Sequence, residues 1–348
     1  MSELKNLLGG YVLEDVQSYK DLAVVPVRLE KKSGIEYILF SEALDKNLID
    51  IIETGVVNKL GIRKQTEKDV LVIKGEYVVG GKQNRVVSVN GLIGKKDIDL
   101  PVHCIQHGRW SSGINIEPRP RRPREPYPYP RTPRRPRYPD EPIYYDPIPP
   151  WEYPYSWDDR ETRPRRFGYD EERTGSGFNA GQSLFSSSIR ASISKNGSRG
   201  GEQSKTWNSI NYLSSSVGAH SATQDFDEIF YQKKEDVDDY LKNFSYKGEN
   251  GVIANTGDIF YVDLFDKPET FEKQYKKILS SYIIDALATK RKGGITKDSA
   301  KKFLEETLSA KADVSSSLDL GEDYEIRNRI NGSALVYKDT ILYLGAKG

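Results

Sequence analysis

The chain reads as an α+β protein, with a β-rich N-terminal module, sandwich-like or barrel-like, and a mixed helix and hairpin C-terminal half. A disordered Pro/Arg/Tyr-rich insertion separates the two. Three observations lead there. Short β-branched runs punctuated by turn residues fill positions 1–117. Fifteen of the 18 prolines lie between Pro118 and Pro164. Apolar residues at helical spacing return after position 200.

The N-terminal elements come first. Leu22 to Leu29 and Ile35 to Phe40 read as strands, with Lys31-Lys32-Ser33-Gly34 as the turn between them. Ser41 to Leu48 reads as a short helix capped by Ser41. Ile51 to Val57, Val70 to Lys74, Arg85 to Ile93 and Ile98 to Gln106 read as further strands. Polarity partly alternates from Arg85 to Asn90, so one face of that strand is expected to meet solvent or a ligand.

Residues 118–200 change character and read as the insertion. Proline fixes φ and lacks the backbone donor, so the tract is expected to be extended and disordered. Its charge is blocked, with eight arginines and one acid in Arg119–Tyr138 and six acids with no basic residue in Pro139–Asp159. The tail is rich in Gly and Ser, although Leu184 to Ile193 has the composition of a short ordered element.

From 201 to 348 order returns. Ser204 to Leu213 reads as helix. Ser221 to Gln224 has capping-box spacing ahead of one apolar stripe running from Phe226 to Phe244. Gly251 to Phe265 reads as a hairpin, and Asp266 is expected to cap a helix with Pro268 in its first turn. Thr296 caps another helix, and Ala334 to Leu344 is a hairpin turning at Lys338-Asp339. The N-terminal stretch has few helices to cover its sheet, so the two ordered stretches are expected to share a core.

Composition bounds the function. With 52 basic and 51 acidic residues, the chain as a whole implies no polyelectrolyte partner. The single cysteine, Cys104, excludes an intrachain disulfide. No secretory h-region opens the chain, and no run approaches the roughly 18 apolar residues of a membrane span. The expectation is a soluble cytoplasmic protein with no membrane association.

Two polar clusters carry the chemistry. In Gly80-Gly81-Lys82-Gln83-Asn84-Arg85 the glycines let the backbone approach a ligand, while Lys82 and Arg85 suit phosphate or carboxylate. Gln83 and Asn84 both donate and accept, which suits an amide or a base edge. In Gln106-His107-Gly108-Arg109-Trp110, Arg109 and Trp110 offer a cation and a stacking platform. A structural reading stands beside each: the amides satisfy backbone at a bulge while Arg85 pairs with Glu76, and Arg109 stacks on a core Trp110. Glu76 is the best candidate acid or base. His103 and His107 share a strand face but Cys104 points away, so no metal site is expected. Cys104 lies in an apolar run and reads as packing.

These clusters resemble the ARPP domain, a family named for its association with ADP-ribosylglycohydrolases and rhodanese-phosphatase proteins. The residues that carry the resemblance begin with Gly75-Glu76, Gly80 to Arg85 and Cys104 to Trp110. They continue with Gln203 to Trp207, Asp263 to Asp266 and Ser280 to Leu287. The similarity spans nearly everything except 118–200. It implies a place near ADP-ribose or NAD chemistry rather than a particular reaction. Where the family pattern reads Glu-Gln-Gly-Arg-Trp, this chain has Gln106, so a general base supplied there would be missing.

The leading expectation is binding of a small anionic ligand, nucleotide or ADP-ribose-like, at Lys82, Gln83, Asn84, Arg85, Arg109 and Trp110. No cofactor is expected. Two readings stand beside it: a hydrolase of an ADP-ribose-type substrate using Glu76, and an interaction scaffold or RNA-binding protein acting through 118–173.

Overall fold

The strand Leu22–Leu29 ties the two ordered stretches together. Successive strand side chains point to opposite faces. Leu22 and Val24 enter one core, whereas Ala23, Val25 and Val27 enter another. Both faces are covered, which is why the run is continuously apolar. One edge pairs with Tyr11–Leu13 and Gln17–Tyr19, and the other with Gly251–Thr256 from the C-terminal half. This antiparallel, nine-stranded sheet continues through Ile259–Phe265, Thr340–Lys347, Asn331–Tyr337, Glu322–Ile326 and Ala312–Ser316. The long helix Pro268–Thr289 packs on one face, and Glu3–Leu8 and Lys297–Ser309 on the other.

The computed structural model describes residues 3–106, 178–191, 193 and 200–348. The Pro/Arg/Tyr-rich tract lies outside the described residues, as do His107, Arg109 and Trp110.

The β-rich N-terminal part winds into a nearly closed, barrel-like sheet. Its six strands run in the order Phe178–Ala180, Tyr77–Gly80, Arg85–Val87, Asp97–Cys104, Lys59–Lys64 and Ile49–Glu53. A three-stranded sheet sets Val70–Val72 between Gly91–Ile93 and Ile38–Leu39. Ile51, Leu60, Val78, Val87, Leu100 and Val102 fill this third core.

Local signals explain much of this. Lys338 and Asp339 both have positive φ, 49° and 53°, as a two-residue hairpin of this kind demands. Thr296 caps Lys297–Ser309 in a reciprocal capping box with Ser299. Other local expectations are corrected by tertiary partners. The helix expected from Ser41 is Phe40–Asp45, with Leu39 at its N-cap. Lys267, not Asp266, is the N-cap residue of the helix that opens at Pro268, and the Asp266 carboxylate instead accepts from the Tyr37 hydroxyl. The stripe from Phe226 is two helices, Phe226–Gln232 and Lys234–Leu241. Asp225 caps the first, while Ser221 Oγ accepts the Asp225 N–H at 2.8 Å. The expected strand Arg85 to Ile93 is interrupted where Asn90 accepts from the Lys74 N–H with its side chain at 2.8 Å.

Residues at the end of the expected insertion are part of the core. Phe178–Ala180 is a sheet strand and Ser187–Arg190 a helical turn, with Leu184 and Phe185 fully buried. The helix after them runs Gly200–Val217, longer at both ends than its predicted extent. Among the described residues no helix is long and apolar enough to cross a membrane.

Candidate functional site

The Gly80–Arg85 cluster is the turn between strands Tyr77–Gly80 and Arg85–Val87. Gly80 and Gly81 have φ of 132° and 59°, and a Cβ on Gly81 would sit 2.3 Å from the Phe178 ring. Lys82 is half-buried and its N–H donates to Glu53 Oε1 at 2.8 Å. Asn84 is buried. Its Oδ1 accepts from the Gly80 N–H at 3.0 Å, and its Nδ2 donates to both oxygens of Asp225 at 2.9 and 3.1 Å. That contact pins the turn to the C-terminal half. Arg85 is 0 % exposed and its Nε donates to the Val57 carbonyl at 3.0 Å. This contact takes the place of the pairing with Glu76 that the structural reading expects. Gln83 is 5 % exposed, and its Oε1 has no hydrogen-bond partner among the described residues.

Behind this turn, separate motifs meet. Gln203 brackets the backbone of Cys104, accepting from its N–H at 2.8 Å and donating to its carbonyl at 2.7 Å. Thr206 Oγ1 lies 3.1 Å from His103 Nδ1. Gln106 Oε1 accepts from the Asn84 N–H at 3.4 Å, tying the second cluster to the first. Burial pushes the Cys104 thiol up from its ordinary value, which leaves it less thiolate and less nucleophilic. Among the described residues no three His, Cys, Asp or Glu side chains gather as metal ligands do.

Glu76 is buried elsewhere, beneath the long helix. Oε2 accepts from the Ile73 N–H at 3.1 Å, and Oε1 from Gln274 Nε2 at 3.3 Å. Burial raises its pKa from 4.5 to about 7, against the opposing pull of Lys277 and of these hydrogen bonds. The native state therefore holds the Glu76 proton more tightly than the unfolded chain does. Stability from this group is present below the unfolded pKa and is lost as pH rises through about 7. At roughly 1.4 kcal/mol per pKa unit, the whole contribution is on the order of 3 kcal/mol. In Glu76→Gln, thermal melts from pH 5 to pH 8 are expected to lose that decline; a slope matching wild type would assign it to other groups.

Arg190, which no motif singles out, and Asp263, which opens one of the motifs that carry the resemblance, form a buried polar centre. Arg190 Nη1 and Nη2 donate to Asp263 Oδ1 and Oδ2 at 3.0 and 2.7 Å. The hydroxyls of Tyr282 and Tyr343 also donate to this carboxylate. Arg190 reaches Tyr343 at 2.9 Å and Ser187 Oγ at 3.0 Å. Burial works against the Arg190 charge, but Asp263 outweighs it and holds the guanidinium above its ordinary value. Nearby, Asp285 accepts from Ser186 Oγ at 2.5 Å and from the Ser188 N–H at 2.8 Å. A signal for Asp263 existed: a carboxylate in the apolar run Val262-Asp263-Leu264-Phe265 needs a buried partner. Nothing local pointed to Arg190 in a serine-rich stretch.

The class these features define is an α+β protein whose N- and C-terminal halves share sheets and core, with Glu76, Gln83, Asn84 and Arg85 buried. The chain belongs to the family of the ARG and Rhodanese-Phosphatase-superfamily-associated Protein domain, whose match covers residues 10–117 and 163–346. No curated protein matches the chain. No solved structure matches it either.

Proposed function

We propose that the protein binds a small anionic ligand of nucleotide or ADP-ribose type at the foot of the Gly80–Arg85 turn. One observation carries the reading: the Gln83 carboxamide oxygen is buried without a partner among the described residues, two positions from the enclosed cation Arg85. An unsatisfied buried acceptor costs about 1–3 kcal/mol, so its retention calls for a reason. A ligand bringing both a donor and a negative charge supplies one. Arg109 and Trp110, close in sequence to Gln106, add a second cation and a stacking surface. The association with ADP-ribosylglycohydrolases carried in the family name directs the choice among anions.

The test is thermal stability with ADP-ribose, NAD, AMP and inorganic phosphate, wild type beside Gln83→Leu. Ligand at a hundred times its Kd adds about 2.7 kcal/mol to the native state. Gln83→Leu removes the unpaired oxygen, so it is expected to fold at least as stably and to lose the ligand shift. A wild type that shifts with none of these compounds, or a Gln83→Leu protein that shifts equally, would overturn the reading.

The hydrolase reading keeps one supporting observation, the Glu76 pKa of about 7, which is suited to proton transfer at neutral pH. It requires Glu76→Gln to retain ligand binding while losing turnover of an ADP-ribosylated substrate.

A further inference from the structure

Lys74, Ser187, Arg190, Ser333 and Tyr343 line a recess of about 20 Å³, room for one water-sized group. A larger cavity of about 370 Å³ shares Ala191 with it. The two are bounded by adjacent residues, Ser187 and Ser188, Gly332 and Asn331, Ala346 and Lys347. The outer cavity has the volume of a small-molecule site; among its described lining residues Arg327 is paired with Glu325 at 2.7 Å, and Arg329 and Lys347 supply the cations that remain.

Among the described residues, neither the Lys74 ammonium nor the Ser333 hydroxyl proton has a hydrogen-bond acceptor, and the charge of Lys74 is opposed at longer range by Glu325 and Asp323. Lys74 is 6 % exposed, and its hydrogen bond among the described residues is made by the backbone N–H, to Asn90 Oδ1 at 2.8 Å. Ser333 is 4 % exposed, and its Oγ accepts from Asn90 Nδ2 at 2.8 Å, leaving its own proton to be placed. Asn90 thus holds both residues in position. Arg190 differs, since its terminal N–H groups are committed to Asp263, Tyr343 and Ser187. It forms a wall of the recess. Buried donors require acceptors, and a buried ammonium requires one most of all.

We propose that these cavities form a binding site for a small molecule bearing an oxyanion. One oxygen of a phosphate or carboxylate enters the recess between Lys74 Nζ and Ser333 Oγ, and the remainder lies in the outer cavity against Arg329 and Lys347. The site shares no residue with the Gly80–Arg85 turn. The pKa of Lys74 agrees with this geometry. Burial lowers it to about 8, with Arg190 and Arg327 acting in the same direction and Asp323 and Glu325 opposing. An anion in the recess favours the charged amine, so binding weakens as pH rises above about 8.

Isothermal titration of the full chain with inorganic phosphate, AMP and succinate tests the site and separates phosphate from carboxylate. Saturable binding of at least one probe at pH 7 is expected. Measured in the Gln83→Leu background, which silences the turn, its affinity should fall at least tenfold in Ser333→Ala and in Lys74→Met. Ser333→Ala deletes only a hydroxyl and decides the question should Lys74→Met fail to fold. Absence of binding by all three probes, or full affinity in Ser333→Ala, would overturn the proposal. So would binding that Gln83→Leu by itself abolishes, which would place the ligand at the turn instead.

Discussion

Arg190→Met is expected to lower the unfolding free energy by about 3–5 kcal/mol, the cost of stranding a buried carboxylate without its cation. Asp263 is 0 % exposed and receives both terminal nitrogens of Arg190. Methionine fills part of the volume but supplies no donor. The Tyr282 and Tyr343 hydroxyls still reach Asp263, so the carboxylate keeps two of its partners and loses its counter-charge. For a unit of this size the melting temperature should fall by roughly 10 °C. Asp263→Asn in the same background tests the cause. Removing the second charge should cost less than it does alone, with a coupling of about 1 kcal/mol or more in a denaturant cycle. Additive losses would mean that the pair is not the source of the effect.

Gly75→Ala is expected to cost about 2–5 kcal/mol, from two independent penalties. Gly75 has φ +95°, a conformation that L-residues adopt only under strain of about 1–2 kcal/mol. Its absent side chain is also the space that Arg190 occupies: a Cβ there would lie 2.1 Å from Arg190 Cδ. Displacing Arg190 loosens its grip on Asp263, which adds an overpacking penalty of about 1–3 kcal/mol. The two penalties separate experimentally. In an Arg190→Ala background, which lacks both Cγ and Cδ, the clash is relieved while the backbone strain remains, so Gly75→Ala should cost distinctly less there. Equal costs in both backgrounds would show that the Arg190 contact is not responsible.

Gly75-Glu76, part of the motif that carried the family resemblance, makes its contacts inside the fold. The glycine admits an arginine from 115 residues further along the chain, and the glutamate sits buried against Gln274 of the long helix. The polar residues of Gly80 to Arg85 divide in the same way. Asn84 fastens the turn to Asp225, and Arg85 caps the Val57 carbonyl, while Gln83 retains an unmet acceptor. Their residue types suited both a ligand and an architectural role. Burial and partner contacts distinguish them, and neither is encoded within a short window.

The sequence by itself determined the features that depend on near neighbours. The Lys338-Asp339 turn, the Thr296 cap, the hairpin Gly251–Phe265 and the apolar stripes follow from local dihedral preferences and from periods of two and 3.6 residues. The family also followed, because its motifs survive in order around the long insertion. Tertiary structure alone decided which buried charges meet. Asp263 lies 73 residues from Arg190, and Asn90 lies 243 from Ser333. Lys74 reads as an ordinary end of a strand until the Asn331–Tyr337 strand and the Ser187–Arg190 turn close over it. Desolvation depends on everything that surrounds a group in space, so the pKa values of Lys74 and Glu76 are set by chain segments that their own neighbourhoods in sequence do not contain.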